Sequence, residues 1–161
     1  MSKVRERLDR AGLVLPPPLA VPGGIELPFP WVSVRGDRVF ISGHGPQNPD
    51  GSVAGPFGKV GAEVSEEDAV ELAGKTALSI LASLEREIGD LDRIVAWCRV
   101  FGMVNSAPGF NRQPAVINGF SSVITTVFEA DTARHTRSAV GMAGLPFDIA
   151  VEIEGEVLLA P

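Results

Sequence analysis

The segment Ile94–Val104 reads IVAWCRVFGMV and is apolar on both alternating faces, with Arg99 as its one charged residue. A strand buried on both faces needs a cover on each side of its sheet. Helices can form one cover. The other must be a second sheet or another subunit, so the run itself argues for layered α/β packing and for association of copies.

Two helices are available for the first cover. Ser65 stands before Glu66, Glu67 and Asp68, an N-cap followed by acids that suit the positive helix end. Val70, Ala73, Ala77, Ile80, Leu81, Leu84 and Ile88 then form one apolar stripe, with Glu71 and Lys75 paired elsewhere on the surface and Gly89 as the stop. A second helix is expected over Ala115–Phe128, where Val116, Phe120, Val123, Ile124 and Val127 recur at helical spacing despite Gly119.

Strands account for most of the rest. Trp31–Arg35 and Arg38–Ser42 flank Gly36-Asp37, a two-residue hairpin turn. In Ile149–Val157, Ile149, Val151, Ile153 and Val157 alternate with polar or small residues, the pattern of a half-buried strand. Arg137–Met142 precedes it, and the Gly144–Asp148 segment between them has turn chemistry. A hairpin here would put Arg137 and Glu152 on one face, as a site or as an ordinary ion pair on a solvated face. The order ββαβαββ predicts an α+β two-layer sandwich, a mixed sheet with two helices packed on one face.

The whole chain, residues 1–161, is expected to form one domain. Its first thirty residues stand apart. Val4, Leu8 and Ala11 suggest a short helix between Ser2 and Gly12, and prolines at 16, 17, 18, 22, 28 and 30 make the following segment an extended strap.

Charge and motifs narrow the chemistry. A net charge of −6 argues against a nucleic-acid surface. The single cysteine, Cys98, fits packing in a reducing compartment, and no run reaches transmembrane length or forms a signal peptide, so a soluble cytoplasmic protein with no membrane partner is expected. Two histidines, His44 and His135, and one cysteine make a metal site improbable. The glycine-rich loop Gly43–Gly61 lacks the Walker spacing, and there is no nucleophile elbow or dinucleotide fingerprint. What remains is arginine with glutamate, and the planar guanidinium suits a carboxylate ligand.

The run Arg137-Ser-Ala-Val, then Leu145-Pro146, then Ala150-Val-Glu-Ile-Glu154 resembles the C-terminal signature of the RidA/YjgF family, also called the endoribonuclease L-PSP or enamine/imine deaminase family. Ile41-Ser-Gly43 with Pro46, the helix from Ser65, and Asn118 agree with it, over roughly Phe29–Val157. The segments Val104–Phe110 and Val116–Gly119 look like a longer branch of that family. The resemblance implies a chorismate-mutase-like fold and a homotrimer with sites between subunits. It also implies hydrolysis of 2-imino or 2-enamino acids to 2-keto acids and ammonia, without metal or cofactor. Carried onto this chain, Arg137 would hold the substrate carboxylate, the Ala139 backbone N–H would assist, and Glu152 would activate water. Ser42, Gly43, His44, Asn118 and Phe29 would line the cleft. Phe29 stands where many members carry tyrosine, and this chain has none; His44 stands where many carry glutamine. A non-catalytic trimeric binder of small carboxylates is the alternative. The ribonuclease or translation-inhibitor role that one family name suggests fits an acidic chain poorly.

Overall fold

The computed structural model describes residues 2–161. The elements are α1 (Lys3–Arg10), β1 (Val32–Arg35), β2 (Arg38–His44), α2 (Glu66–Ile88), β3 (Ile94–Asn105), α3 (Gln113–Val127), α4 (Ala130–Ala133), β4 (Thr136–Met142) and β5 (Val151–Leu159). One mixed five-stranded sheet has the order β1-β2-β5-β3-β4, with β3 and β4 parallel and the other pairs antiparallel. Helices α2 and α3 cover one face, so the expected ββαβαββ order and two-layer α+β architecture are found.

The helix signals act as expected. The Ser65 hydroxyl accepts from the Asp68 N–H at 3.0 Å, and Gly89 closes α2 with φ 82°. Ala73, Ala77, Ile80, Leu81, Leu84 and Ile88 are buried, whereas Val70 is half-buried. Glu71 and Lys75 pair at 3.1 Å. Gly119 is where α2 and α3 touch: a side chain there would run into the Val70 carbonyl. The glycine that weakens α3 locally is what lets the helices approach. Ser2 stands at the N-cap of α1, but its hydroxyl makes no capping bond; it donates to Asp92 at 2.7 Å and tethers α1 to the turn before β3.

The last two strands are not a hairpin. Strand β3 lies between them, because β4 returns parallel to β3 after α3 while β5 inserts between β2 and β3. Arg137 is opposite Val100, which faces the helices; Glu152 is opposite Met103, on the other face. The expectation that the two share a face is therefore overturned. A central position completes the ladder of β5 on both edges and buries Val151, Ile153 and Val157, which a terminal hairpin arm would not do.

The second face of the sheet is open in the isolated chain. Phe40 is 40% exposed there, and Phe101, Met103 and Val140 are partly exposed on the same face. No helix is long and apolar enough to cross a membrane among the described residues.

Candidate functional site

Two groups stand out, and the sheet separates them. On the helix side, at the β4 edge, Arg137 is held by three neutral oxygens of α3. It donates to Ser121 Oγ at 3.0 Å, the Pro114 carbonyl at 3.0 Å and Asn118 Oδ1 at 2.6 Å. Positions 114, 118 and 121 share one helix face, so α3 presents them together. No carboxylate pairs with Arg137 among the described residues, and burial alone pushes its pKa down. The guanidinium is thus oriented without being neutralised. Ser121 also meets His135 Nε2 at 3.0 Å, while His135 Nδ1 lies 2.7 Å from the Ala133 carbonyl. That carbonyl can only accept, so the ring donates from Nδ1, while Ser121 Oγ accepts from Arg137 and bridges it to the ring. Ala139 follows on the same side of β4, opposite Gly102 and packed against the core, as its backbone-only role allows.

On the other side, Glu152 lines a cleft of about 140 Å³ with Phe29, Trp31, Phe147 and Ile149, and with Leu19, Val21 and Leu27 from the strap. Burial, with Glu154 adding to it, pushes the Glu152 carboxyl above the usual range, and no donor offsets this. Gly43 lets the carboxyl lie against the strand: a side chain there would meet Glu152 Oε1 and push the carboxyl aside.

A bulge in β2 makes this contact. Ile41 pairs with Gly155 and His44 with Ile153, so two residues, Ser42 and Gly43, oppose one. Ser42 supports the wall: its hydroxyl donates to the Pro30 carbonyl at 2.8 Å and its N–H to the Trp31 carbonyl at 3.0 Å. His44 emerges from the bulge pointing into the core, against α2. It is 3% exposed, with Nδ1 2.6 Å from the Ser42 carbonyl and Nε2 2.9 Å from Ser83 Oγ, and burial pushes its pKa down to about 4. It does not line the Glu152 cleft. The structure thus brings Phe29, Gly43 and Glu152 together, and separately Arg137, Asn118 and Ala139.

Residues outside the sequence expectation complete both places. Trp31 and Phe147 form cleft walls, and Ser121, His135 and Pro114 build the Arg137 corner. Asn105, fully buried, braces the loop that carries Phe147 through Asp148 Oδ1 and the Ile149 carbonyl, each at 3.2 Å.

No family model matches the chain. It is 34% identical to Protein TCP17 of Trypanosoma cruzi over 158 residues, 98% of this chain and 95% of that protein. Among solved structures, Atu1372 of Agrobacterium tumefaciens is 34% identical with a TM-score of 0.86, covering 98% of this chain and 94% of that one. The YjgF protein of E. coli shares the fold at 21% identity, with a TM-score of 0.59 over 90% of this chain and 94% of that one. With relatives at 34% identity along nearly its whole length, the chain has the fold of the RidA/YjgF family.

Proposed function

We propose that the chain hydrolyses 2-imino or 2-enamino acids to 2-keto acids and ammonia, at a site completed by a second copy in a homotrimer. The observation that carries this reading is the separation of Arg137 and Glu152 by the sheet. Neither is complete alone: one is a cation without an anion, the other a carboxylate without a donor. Arg137 lies on the edge strand β4, where a neighbouring subunit can approach, and the open sheet face, with Phe40, Phe101 and Met103 set among Arg38, Arg99, Glu154 and Glu156, gives subunits a surface to bury.

In such a cleft Arg137 holds the substrate carboxylate, and the Ala139 N–H adds to it. Glu152 of the adjoining copy faces the imine carbon. Its carboxylate takes a proton from water as the hydroxyl adds to that carbon. Glu152 returns that proton to the nitrogen, giving the tetrahedral carbinolamine; as the C–N bond breaks, the carbinol hydroxyl proton passes to the nitrogen, which leaves as ammonia, and the 2-keto acid remains. A carboxyl raised by burial is closer to neutral pH and can both take and return that proton. Phe29 and the absence of any tyrosine favour a second reading, a trimeric carboxylate binder without turnover.

Ammonia release from imino acids generated in place by an amino-acid oxidase separates the two. Turnover by the wild type, reduced roughly 10²–10⁴-fold in Glu152→Gln, is the expected result. Carboxylate binding with no acceleration of ammonia release would leave only the binder, and a monomer in light scattering would remove the shared site.

A further inference from the structure

The Glu152 cleft has more wall than positioning one carboxylate needs. Glu152 is the only ionisable residue lining it; the other walls are aliphatic, aromatic, proline or glycine. Its volume, about 140 Å³, is close to the roughly 150 Å³ of an apolar cavity that takes up benzene.

The wall is also built in advance. Leu19, Val21 and Leu27 come from the proline-rich strap, which lies before the part of the chain that carries the family signature. The strap is pinned at several points: Arg86 donates to the Pro16 carbonyl at 3.3 Å, Gln47 to the Pro17 carbonyl at 3.1 Å, and the Ala20 N–H to the Gly51 carbonyl at 3.1 Å. Prolines reduce the freedom it loses on ordering. At the opposite wall, Phe147 is held at φ 56°; the residue is 47% exposed and lines the cleft. Such backbone positions cost energy in a non-glycine residue and cluster where a side chain must be presented.

An occupant of this space is apolar, about six carbons in size, and carries a protonated or hydrogen-bearing nitrogen beside the carboxylate. We infer that the cleft is the side-chain pocket of the proposed site, selecting imino acids with branched or aromatic apolar side chains over short ones. This selectivity rests on the deaminase reading above. The pocket itself does not, because a simple ammonium can probe it without Arg137 or turnover.

The test has two arms. In the first, kcat/KM for ammonia release is compared for imines generated from leucine and from alanine. The wild type should favour the leucine-derived imine at least about tenfold, since three further carbons enter the pocket. Leu27→Trp fills the cleft from the half-exposed strap and should reduce that ratio at least tenfold; Val21→Phe serves the same purpose if Leu27→Trp does not assemble. In the second arm, calorimetry compares benzylamine with methylamine, which carry the same charge. Benzylamine should bind the wild type at least tenfold more tightly, and the filled variant should lose the difference. If no imine is hydrolysed but the benzylamine preference exists and is lost in the variant, the pocket stands and the reaction reading falls. Equal turnover of both imines, or a preference for the alanine-derived one, overturns the selectivity. Benzylamine binding no better than methylamine overturns the pocket.

Discussion

The Arg137 corner and the Glu152 cleft make opposite use of burial. Arg137 loses water but gains three neutral oxygens that fix the plane of its guanidinium. Glu152 loses water among apolar walls and gains nothing in exchange. The first group is oriented and keeps its charge; the second is left reactive and free to move its proton. A ligand carboxylate needs the former, and water activation needs the latter. Placing them on opposite faces of one sheet keeps the two charges from neutralising each other within a chain.

The strongest way to break this contrast is to separate the two groups genetically. Arg137→Ala and Glu152→Gln trimers should each be inactive. Unfolded together in equal amounts and refolded, they should recover about a quarter of wild-type ammonia release, because one interface in four pairs an intact arginine with an intact glutamate. No recovery would mean that the two groups do not meet across subunits.

The core side of the Gly43 bulge sharpens the comparison, because burial acts there on a base. His44 folds with its pKa near 4 against about 6.5 unfolded, so below pH 6.5 the unfolded chain binds the extra proton. Stability is full above about pH 6.5 and falls as pH drops toward 4, by up to about 3 kcal/mol. Glu152 runs the other way: its raised carboxyl favours the folded state at low pH, and that contribution is lost as pH rises through its folded value. Urea titrations from pH 4 to 8 should show His44→Gln abolishing most of the acid-side loss. Ligand binding between pH 5.5 and 8 should be unchanged by that substitution, since the imidazole faces α2 rather than the cleft.

A smaller effect tests the geometry at Arg137. Arg137→Lys keeps the charge and loses the fork that reaches Ser121 and Asn118 together. It should fold and assemble but bind pyruvate or 2-ketobutyrate roughly tenfold more weakly by calorimetry, about 1.4 kcal/mol. Equal affinities would take Arg137 out of the carboxylate site.

Much of this was readable from local pattern. Ser65, the stripe to Ile88 and Gly89 define α2 because cap, periodicity and stop all act within a few residues. The two-sided apolar run of β3 is seen in the structure as one face buried under the helices and one face left half-exposed. Strand neighbours were not readable in the same way. Period two in β5 tells which side is buried and nothing about which strands lie beside it, so Arg137 and Glu152 were assigned to one face. His44 was expected at the cleft from the family resemblance alone; the extra residue in β2 turns its ring toward α2 instead, which no local pattern in Ser42-Gly43-His44 announces. Pro114, Asn118 and Ser121 did share a legible helical face, and His135 sits two residues before Arg137. That they converge on a guanidinium depends on the parallel return of β4, a long-range pairing.

The bare glycine contact between α2 and α3 has a further consequence. Gly119 is the chain neighbour of Asn118, and Val70 on α2 is what a larger residue at 119 would displace. The angular setting of α3, and with it the aim of Asn118, Ser121 and the Pro114 carbonyl, is therefore set by how closely two helices nest. A substitution that merely thickened that seam would rotate the three oxygens that hold Arg137. Under the proposed function, core drift here would register as altered carboxylate recognition before it registered as unfolding, and the position would work as an alignment stop.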